Sequence, residues 1–167
     1  DKKFPEMREY NPVGIVQEFE RYTKRELDYL IEAKNIEIFH DNFKDDKTIV
    51  IPKVHWEYTT SRVLTMQFID GCRISEMQKF SKMHADKQHI VKNVVNAFMK
   101  QVLEIGVFHA DPHPGNLFVV RDSVVAMLDF GIVGKLTPEL RDKIGDMLIA
   151  VVRKDVEMLV ESIVEVG

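Results

Sequence analysis

The sequence has little of what several classes of protein depend on. Cys72 is the one cysteine among 167 residues, so an internal disulfide is excluded and a reducing compartment is favoured. No run of eighteen apolar residues occurs, so the sequence predicts no helix that spans a bilayer. The net charge of −4 lacks the basic excess that nucleic-acid recognition usually needs. These absences argue against a disulfide scaffold, a membrane span and a nucleic-acid partner.

What is present suffices for a folded domain. Apolar residues make up 45% of the chain and charged residues 30%, which is typical of a globular protein with a real core. The first residues, DKKFP, form neither a signal peptide nor a start at an initiator methionine. We therefore expect the chain to be a piece of a longer protein.

The first half predicts one long helix and two strands. Apolar spacing indicates a helix over residues 13–39, and β-branched residues indicate strands over 48–54 and 62–69. The Asp70-Gly71 pair predicts a turn after the second strand. The apolar residues expected along the buried faces of the helix are Phe19, Leu27, Leu30, Ile31 and Ile38.

The second half predicts helices around a hairpin. Asp86 is a candidate N-cap and Gly106 a candidate C-cap of a helix that serves as a packing spine. Its apolar stripe comprises Ile90, Val91, Val94, Val95, Phe98, Met99, Val102 and Leu103. Short strands are expected over 117–120 and 124–128. Thr137 and Pro138 then begin a helix that runs to about Arg153, and a last helix runs to Val166.

Residues 109–116 read HADPHPGN, and Asp129-Phe130-Gly131 follows thirteen residues later. Phosphoryl transfer needs one carboxylate to orient a nucleophile, and an amide with a second carboxylate to hold Mg²⁺ on the nucleotide phosphates. Asp111 fits the first role, and Asn116 and Asp129 fit the second. The predicted hairpin would bring these three side chains to one site. H-x-D-x-x-x-x-N followed by D-F-G is the protein-kinase catalytic loop and metal loop in outline.

Two alternatives from other functional classes stay open. His109, Asp111 and His113 alternate, so an extended segment could place three ligands on a transition metal and give a metal-dependent hydrolase. The second alternative is a nucleotide-binding scaffold without turnover. Activity that follows Mg²⁺-ATP, as opposed to Zn²⁺ or Mn²⁺ without nucleotide, would separate the first alternative from a kinase.

The octet with its spaced DFG resembles the UbiB/ADCK family of atypical kinase-like proteins. The resemblance runs from about residue 11 to residue 167, and includes Glu26-Leu27-Asp28, Glu32-Ala33 and the DFGIVGKL of residues 129–136. It implies an α+β, protein-kinase-like fold. Residues 1–69 would be the remnant of a small lobe, with a helix and two strands, and residues 70–167 a mostly helical large lobe.

The resemblance also implies roles for further residues. Glu32 matches the helix glutamate that pairs with the ATP lysine, and Glu26 and Asp28 match an E-x-D motif that faces a lysine-bearing N-terminal extension. His109 would be structural and bond the backbone near the DFG, and His113 would point at the nucleotide or pack beneath it. The hinge, whose backbone meets adenine, would be Gln67, Phe68 and Ile69, with Gln67 where many relatives have glutamate.

By resemblance, the expected function is that of a Mg²⁺-ATP-dependent atypical kinase or ATPase. Its family supports biosynthesis or homeostasis of ubiquinone and other isoprenoid lipids, so lipid precursors and lipid-biosynthesis proteins are the expected partners. The expected location is the cytoplasmic or organelle-matrix side of a membrane, bound peripherally. The Gly-rich phosphate loop and the ATP lysine should precede the first helix and are not found here. We therefore expect residues 1–167 alone to show little turnover.

Overall fold

A computed structural model describes residues 12–166, except the side chains at positions 12, 22, 24–26, 77, 81, 83, 165 and 166. Within this range the chain forms five α-helices and six short strands. The helices are α1 (Pro12–Glu26), α2 (Tyr29–Phe43), α3 (Lys87–Lys100), α4 (Pro138–Arg153) and α5 (Val156–Val166). The strands are β1 (Ile49–Val50), β2 (Cys72–Arg73), β3 (Val107–His109), β4 (Leu117–Val119), β5 (Val125–Met127) and β6 (Val133–Lys135).

The predicted first helix is in fact two helices, with a break at Asp28. The Asp28 side chain accepts a hydrogen bond of 3.1 Å from the Leu30 N–H, and its own backbone is extended. An N-cap of this kind begins a new helix because it satisfies a backbone donor that the first turn leaves unpaired. The second helix then continues to Phe43, four residues beyond the predicted end.

The buried residues of these two helices also differ from the prediction. Phe19 in α1 and Leu27 after it are each 71% exposed, so placing them in the core was wrong. Apolar periodicity marks one face of a helix, but it does not say whether that face meets a core. Among the described side chains of these two helices, the buried ones all lie in α2: Ala33, Ile36, Phe39 and Phe43.

The main sheet has the strand order β1-β5-β4-β2. The hairpin of β4 and β5 confirms the prediction, with Leu117 opposite Met127, and β1 runs parallel to β5. The strand predicted over 48–54 shrinks to Ile49–Val50. The strand predicted over 62–69 is reduced to isolated bridges, among them Val54 to Met66. Pro52 contributes to this loss because it has no N–H to donate to a ladder.

Helix α3 has the predicted N-cap, while the predicted C-cap residue closes a π-helical turn that follows the helix. Its buried face differs from the predicted one. Asp86 accepts a 3.0 Å hydrogen bond from the His89 N–H, and Gly106 closes the segment at φ 71°. The predicted stripe was partly wrong, because Val91 and Val95 are more than half exposed. The positions of α3 that are buried are Ile90 and Ala97.

The C-terminal helices follow the prediction. The Thr137 hydroxyl caps α4 by accepting the Leu140 N–H at 3.2 Å, and Pro138 occupies its first turn. Lys154 ends the helix in the left-handed region, at φ 57°, and α5 then packs against α4. None of the helices within residues 12–166 is both long and apolar enough to cross a membrane.

The core lies beneath the hairpin. Phe39 of α2, Val119 of β4, Val125 of β5 and Ile90 of α3 belong to one buried cluster, together with Phe130 just beyond β5. The strand that leads to Asp129 is therefore anchored in the most buried part of the chain, which fixes the base of the candidate site.

Candidate active site

The first side of the site is the loop over residues 109–116, which starts at the end of β3. Strand β3 pairs antiparallel with β6, and the Ala110 N–H donates to the Ile132 carbonyl at 3.1 Å. The loop then turns back on itself, because the Asp111 carbonyl accepts the His113 N–H at 2.7 Å and the His113 carbonyl accepts the Asn116 N–H at 2.9 Å. Asp111 is exposed at the surface of this turn, where a substrate can reach its carboxylate.

His109 has a structural role, as the sequence interpretation expected. Its side chain is 2% exposed, and its ring packs against Phe130 with centroids 5.3 Å apart. Nδ1 accepts the Asp111 N–H at 3.2 Å, while Nε2 has no hydrogen-bond partner among the described residues. Burial lowers the pKa of His109, against the opposing influence of the Asp129 and Asp111 charges and the Asp129 carbonyl. A neutral ring that accepts at Nδ1 matches this lowered pKa.

His113 folds back over its own loop. Its Nδ1 accepts the Gly115 N–H at 3.0 Å, although the side chain is otherwise exposed. A Cβ at position 115 would lie 2.9 Å from that nitrogen, so a larger residue there would displace the His113 ring from this contact. With Nδ1 occupied as an acceptor, the neutral ring carries its proton on Nε2 and can donate it to a ligand.

The second side of the site is the metal loop, residues 129–131, directly after the hairpin. The Leu128 N–H donates to the Asn116 carbonyl at 3.0 Å, which draws the two ends of the hairpin together. Asn116 Nδ2 then donates to Asp129 Oδ2 at 3.1 Å, and the Gly131 N–H donates to Asp129 Oδ1 at 3.0 Å. The structure therefore places the amide and the carboxylate predicted to hold Mg²⁺ in direct contact.

These two side chains fit Mg²⁺ better than a transition metal. A carboxylate and an amide oxygen are hard donors, and Mg²⁺ takes few protein ligands when phosphate and water complete its shell. Within residues 12–166, no group of three or more His, Cys, Asp or Glu side chains could hold a metal ion. The proposed ligand set of His109, Asp111 and His113 is therefore wrong. The buried ring of His109 and the Gly115 contact of His113 explain why the three do not converge.

Helix α2 holds the metal loop from behind. Glu32 Oε1 accepts the Phe130 N–H at 3.3 Å, and Asn35 Nδ2 donates to the Phe130 carbonyl at 2.8 Å. The Phe130 ring is fully buried and packs against Phe39, with centroids 4.8 Å apart. Burial raises the pKa of Glu32, the Phe130 N–H opposes this shift, and the Asp129 charge adds to it. Helix α2 thus bonds both the N–H and the carbonyl of Phe130.

The remaining predicted site residues are not gathered into this cluster. The Gln67 N–H donates to the Lys53 carbonyl at 2.8 Å and its side-chain oxygen accepts the Lys53 N–H at 3.3 Å. Phe68 is 86% exposed and Ile69 is half-buried. Asp28 serves as the cap of α2, and the side chain of Glu26 lies outside the described residues. Adenine binding at residues 67–69, and the roles of Glu26 and Asp28, stay predictions.

Two residues that support the site were missed from the sequence. Asn35 lies one turn after Glu32, and Gln101 lies immediately after α3, with its Oε1 accepting the His109 N–H at 2.9 Å. A signal for Gln101 was present, because it is in phase with the buried positions Ile90 and Ala97 at helical spacing. The stripe predicted for α3 was assigned to a neighbouring face, which hid that signal.

Comparison with known families and proteins gives consistent matches. The family model described as the ABC1 atypical kinase-like domain matches residues 1–163. From Arabidopsis thaliana, the chloroplastic protein Activity of bc1 complex kinase 1 is 39% identical over 153 residues and kinase 8 of the same series is 35% identical over 157 residues. The alignments cover 92% and 93% of this chain, but only 22% and 21% of those two proteins.

The fold matches a solved structure as well. The complex of Rv3197 with erythromycin, from Mycobacterium tuberculosis, superposes with a TM-score of 0.64. The match covers 89% of this chain and 37% of that one, at 22% identity. This likeness concerns the fold alone. Together with the family match, it confirms the α+β kinase-like fold expected from the sequence.

Proposed function

The chain belongs to the ABC1 atypical kinase-like family, which confirms the UbiB/ADCK resemblance, and on this premise we propose that its site transfers the terminal phosphoryl group of ATP with Mg²⁺ bound. The observation that carries the proposal is the 3.1 Å contact between Asn116, on the loop that also presents Asp111, and Asp129 of the metal loop. The division into residues 1–69 and 70–167 as two lobes remains part of the same proposal.

Asp129 and Asn116 would hold the metal. Asp129 keeps one carboxylate oxygen on the Gly131 N–H and shares the other with the Asn116 amide, so its orientation is set before a cation binds. Rotation of the amide turns its oxygen, in place of its NH₂, toward the same side. When bound, Mg²⁺ supplies positive charge that neutralises the phosphate oxygens as the phosphoryl group leaves.

Asp111 would orient the nucleophile. Its carboxylate is exposed, while its backbone is fixed by the His109 ring at the N–H and by His113 at the carbonyl. A carboxylate in this position accepts the proton of an attacking hydroxyl group. With an alcohol in place the outcome is a kinase reaction, and with water it is ATP hydrolysis. His113, whose Nε2 is free to donate, would contact a phosphate oxygen.

The biological setting is proposed from the family resemblance. The acceptor would be a small molecule or lipid, and the longer protein would support synthesis or homeostasis of ubiquinone or another isoprenoid lipid at a membrane surface. The chain spans about a fifth of the length of the two Arabidopsis relatives, so the substrate and partners of the whole protein are part of the proposal.

The test uses the longer protein with three aspartate-to-asparagine variants. Asp129→Asn should abolish measurable Mg²⁺-ATP binding in calorimetry, because carboxylate charge holds the metal against phosphate repulsion. Asp111→Asn should retain binding but lose turnover by about 100-fold or more in a phosphate-release assay. The matched control is Asp122→Asn at the far end of the same hairpin, where φ is 58° and asparagine is tolerated.

The outcomes separate the candidate functions. Unchanged nucleotide affinity in Asp129→Asn would rule out its metal role. Mg²⁺-ATP binding without any Asp111-dependent turnover would favour the scaffold alternative over the enzyme. Equal loss of activity in the Asp122→Asn control would mean that the hairpin fold, and not the site chemistry, was disturbed.

A further inference from the structure

The end of α3 is unusual. After Lys100 the chain continues through a single π-helical turn, Gln101–Ile105, before Gly106 closes it with its N–H on the Gln101 carbonyl at 2.9 Å. A π turn widens the helix by one residue, and such turns are rare and frequent at functional sites. Gln101, the first residue of this turn, contacts the catalytic loop, residues 109–116.

Gln101 has a fully buried side chain, and both polar atoms of its amide have a partner. Its Oε1 accepts the His109 N–H at 2.9 Å, and its Nε2 lies 3.7 Å from Met127 Sδ. Thioether sulfur is a weak acceptor, so the bond to His109 is the stronger contact. Burying an amide is unfavourable unless it is hydrogen-bonded, so a glutamine at this position is not explained by packing alone.

Among the described residues, no strand pairs with the His109 N–H. Strand β3 pairs with β6 along one edge, where Ala110 donates to Ile132 and Leu136 donates to Gly106. The His109 N–H faces the opposite side, away from β6, and Gln101 supplies its acceptor there. The side chain thus takes the place of a neighbouring strand at the last residue before the catalytic loop.

The contact continues to Asp111 in one further step. The His109 ring accepts the Asp111 N–H at 3.2 Å, so Gln101 fixes the backbone of His109 and His109 fixes the backbone of Asp111. The ring has little freedom of its own, because it is buried against Phe130. The direction of the Asp111 carboxylate therefore depends on a side chain that reaches neither substrate nor metal.

We propose that Gln101 is a positioning residue of the phosphoryl-transfer site, setting the place of Asp111 through His109; this rests on the proposed function. Asn116 and Asp129 are held by other contacts, so loss of the Gln101 bond acts on kcat and leaves the KM for ATP nearly unchanged. A residue important only for packing would lower stability without this division between the two constants.

The experiment uses the longer protein with Gln101→Met, which is similar in size but lacks the acceptor, and Gln101→Glu, which keeps an acceptor oxygen. Gln101→Met should lower kcat by about 10-fold to 100-fold, because small displacements of catalytic groups have effects of that size. Its KM for ATP should stay within about twofold of the unsubstituted protein. Gln101→Glu should retain kcat within about threefold, assayed below its melting temperature, although a buried carboxylate lowers stability.

Met127→Leu is the matched control, because it removes the sulfur beside Nε2 and leaves the His109 bond in place. It should keep both kinetic constants. Hydrogen exchange gives a readout apart from activity, since Gln101→Met should lose protection at residues 107–111 and keep it in the β4–β5 hairpin. Exchange that rises equally in both regions would show global destabilisation and overturn the proposal.

Three further results would overturn it. Full kcat in Gln101→Met with protection lost at residues 107–111 would refute the positioning role while the proposed function stood. Equal losses of kcat in Gln101→Met and Gln101→Glu, with protection at residues 107–111 retained in both, would refute it too. If Gln101→Met does not fold, Gln101→Asn takes its place in this comparison, because its shorter side chain does not reach the His109 N–H. Absence of any Asp111-dependent turnover in the unsubstituted protein would instead refute the proposed function, and the role of Gln101 with it.

Discussion

The catalytic loop and the metal loop meet at one site, but they are held in different ways. The catalytic loop is fixed by partners close in sequence, with Gln101 and Ile132 bonding its first two residues. The metal loop is fixed by α2, whose Glu32 and Asn35 lie 98 and 95 residues before Phe130. One support is local to the second half of the chain, and the other joins the two halves.

This difference would separate the two proposed functions of the site, orienting the nucleophile and holding the metal. The direction of Asp111 depends on contacts within one contiguous stretch, so it should survive changes in the first half of the chain. The position of Asp129 depends on α2, so a shift of that helix would alter metal holding first. Under the proposed function, nucleotide binding and phosphoryl transfer would therefore be disturbed separately by substitutions outside the site.

Phe130 is the residue that would break this separation, because it contacts both supports. Its ring packs on Phe39 of α2 and on His109 of the catalytic loop. Phe130→Ala should lower the free energy of unfolding by about 3–5 kcal/mol, measured by urea denaturation of residues 1–167. Phe68→Ala removes an exposed phenylalanine and should change it by no more than about 0.5 kcal/mol. Equal effects would contradict the burial of Phe130.

Asn35 tests the long-range support alone. Asn35→Ala leaves the Phe130 carbonyl without its partner, which should cost about 1–3 kcal/mol and weaken Mg²⁺-ATP binding in the longer protein by about tenfold. Asn42→Ala is the matched control, because Asn42 donates to the Ile38 carbonyl within the same helix. The sharpest readout is binding calorimetry. If both variants bind Mg²⁺-ATP equally well, α2 does not position Asp129.

The smallest expected effect concerns pH. The pKa of Glu32 is raised above its ordinary 4.5, so the folded state holds this proton more tightly than the unfolded state. The free energy of unfolding therefore falls as pH rises from 4.5 through the folded pKa. Glu32→Gln keeps an acceptor for the Phe130 N–H and should remove this dependence, making the variant relatively more stable at neutral pH than near pH 5.

Glu139 gives the opposite sign and serves as the comparison. Its own N–H and the Thr137 hydroxyl lower the pKa of this exposed carboxyl, so its contribution is present above 4.5 and is lost on acidification. Glu139→Gln should therefore flatten the acid side of the stability profile. Urea midpoints of both variants and of the unsubstituted protein, measured between about pH 3 and pH 8, would report both pH dependences. For each variant, the quantity to compare is the difference in urea midpoint from the unsubstituted protein. If this difference changes with pH in the same direction for both variants, the burial assigned to Glu32 is contradicted.

Features set by neighbouring residues could be predicted from the sequence. The caps at Asp86, Thr137 and Gly106 follow from local backbone chemistry, and each occurs where expected. The hairpin that joins Asn116 to Asp129 was predictable because its strands and turn are consecutive. The octet and the DFG then identified the family from side-chain types at fixed spacing.

Features set by distant contacts could not be predicted in this way. Nothing near Asn35 in sequence indicates that it bonds Phe130, and the fold alone brings them together. The buried face of α3 was misjudged because Val91 and Val95 are as apolar as core residues, although they face outward. Gln101 was overlooked because a buried polar residue departs from the apolar pattern used to find a core.

The parallel pairing of β1 with β5 completes a closed loop of contacts between α2 and Phe130. Helix α2 leads into β1, β1 is hydrogen-bonded to β5, and β5 leads to Phe130, which returns to α2 through Glu32 and Asn35. Because these contacts form a closed loop, tilting α2 would disturb either the β1–β5 pair or the Phe130 contacts. A movement of α2 would therefore be transmitted to Asp129 by two routes, through strands β1 and β5 and through the side chains of Glu32 and Asn35.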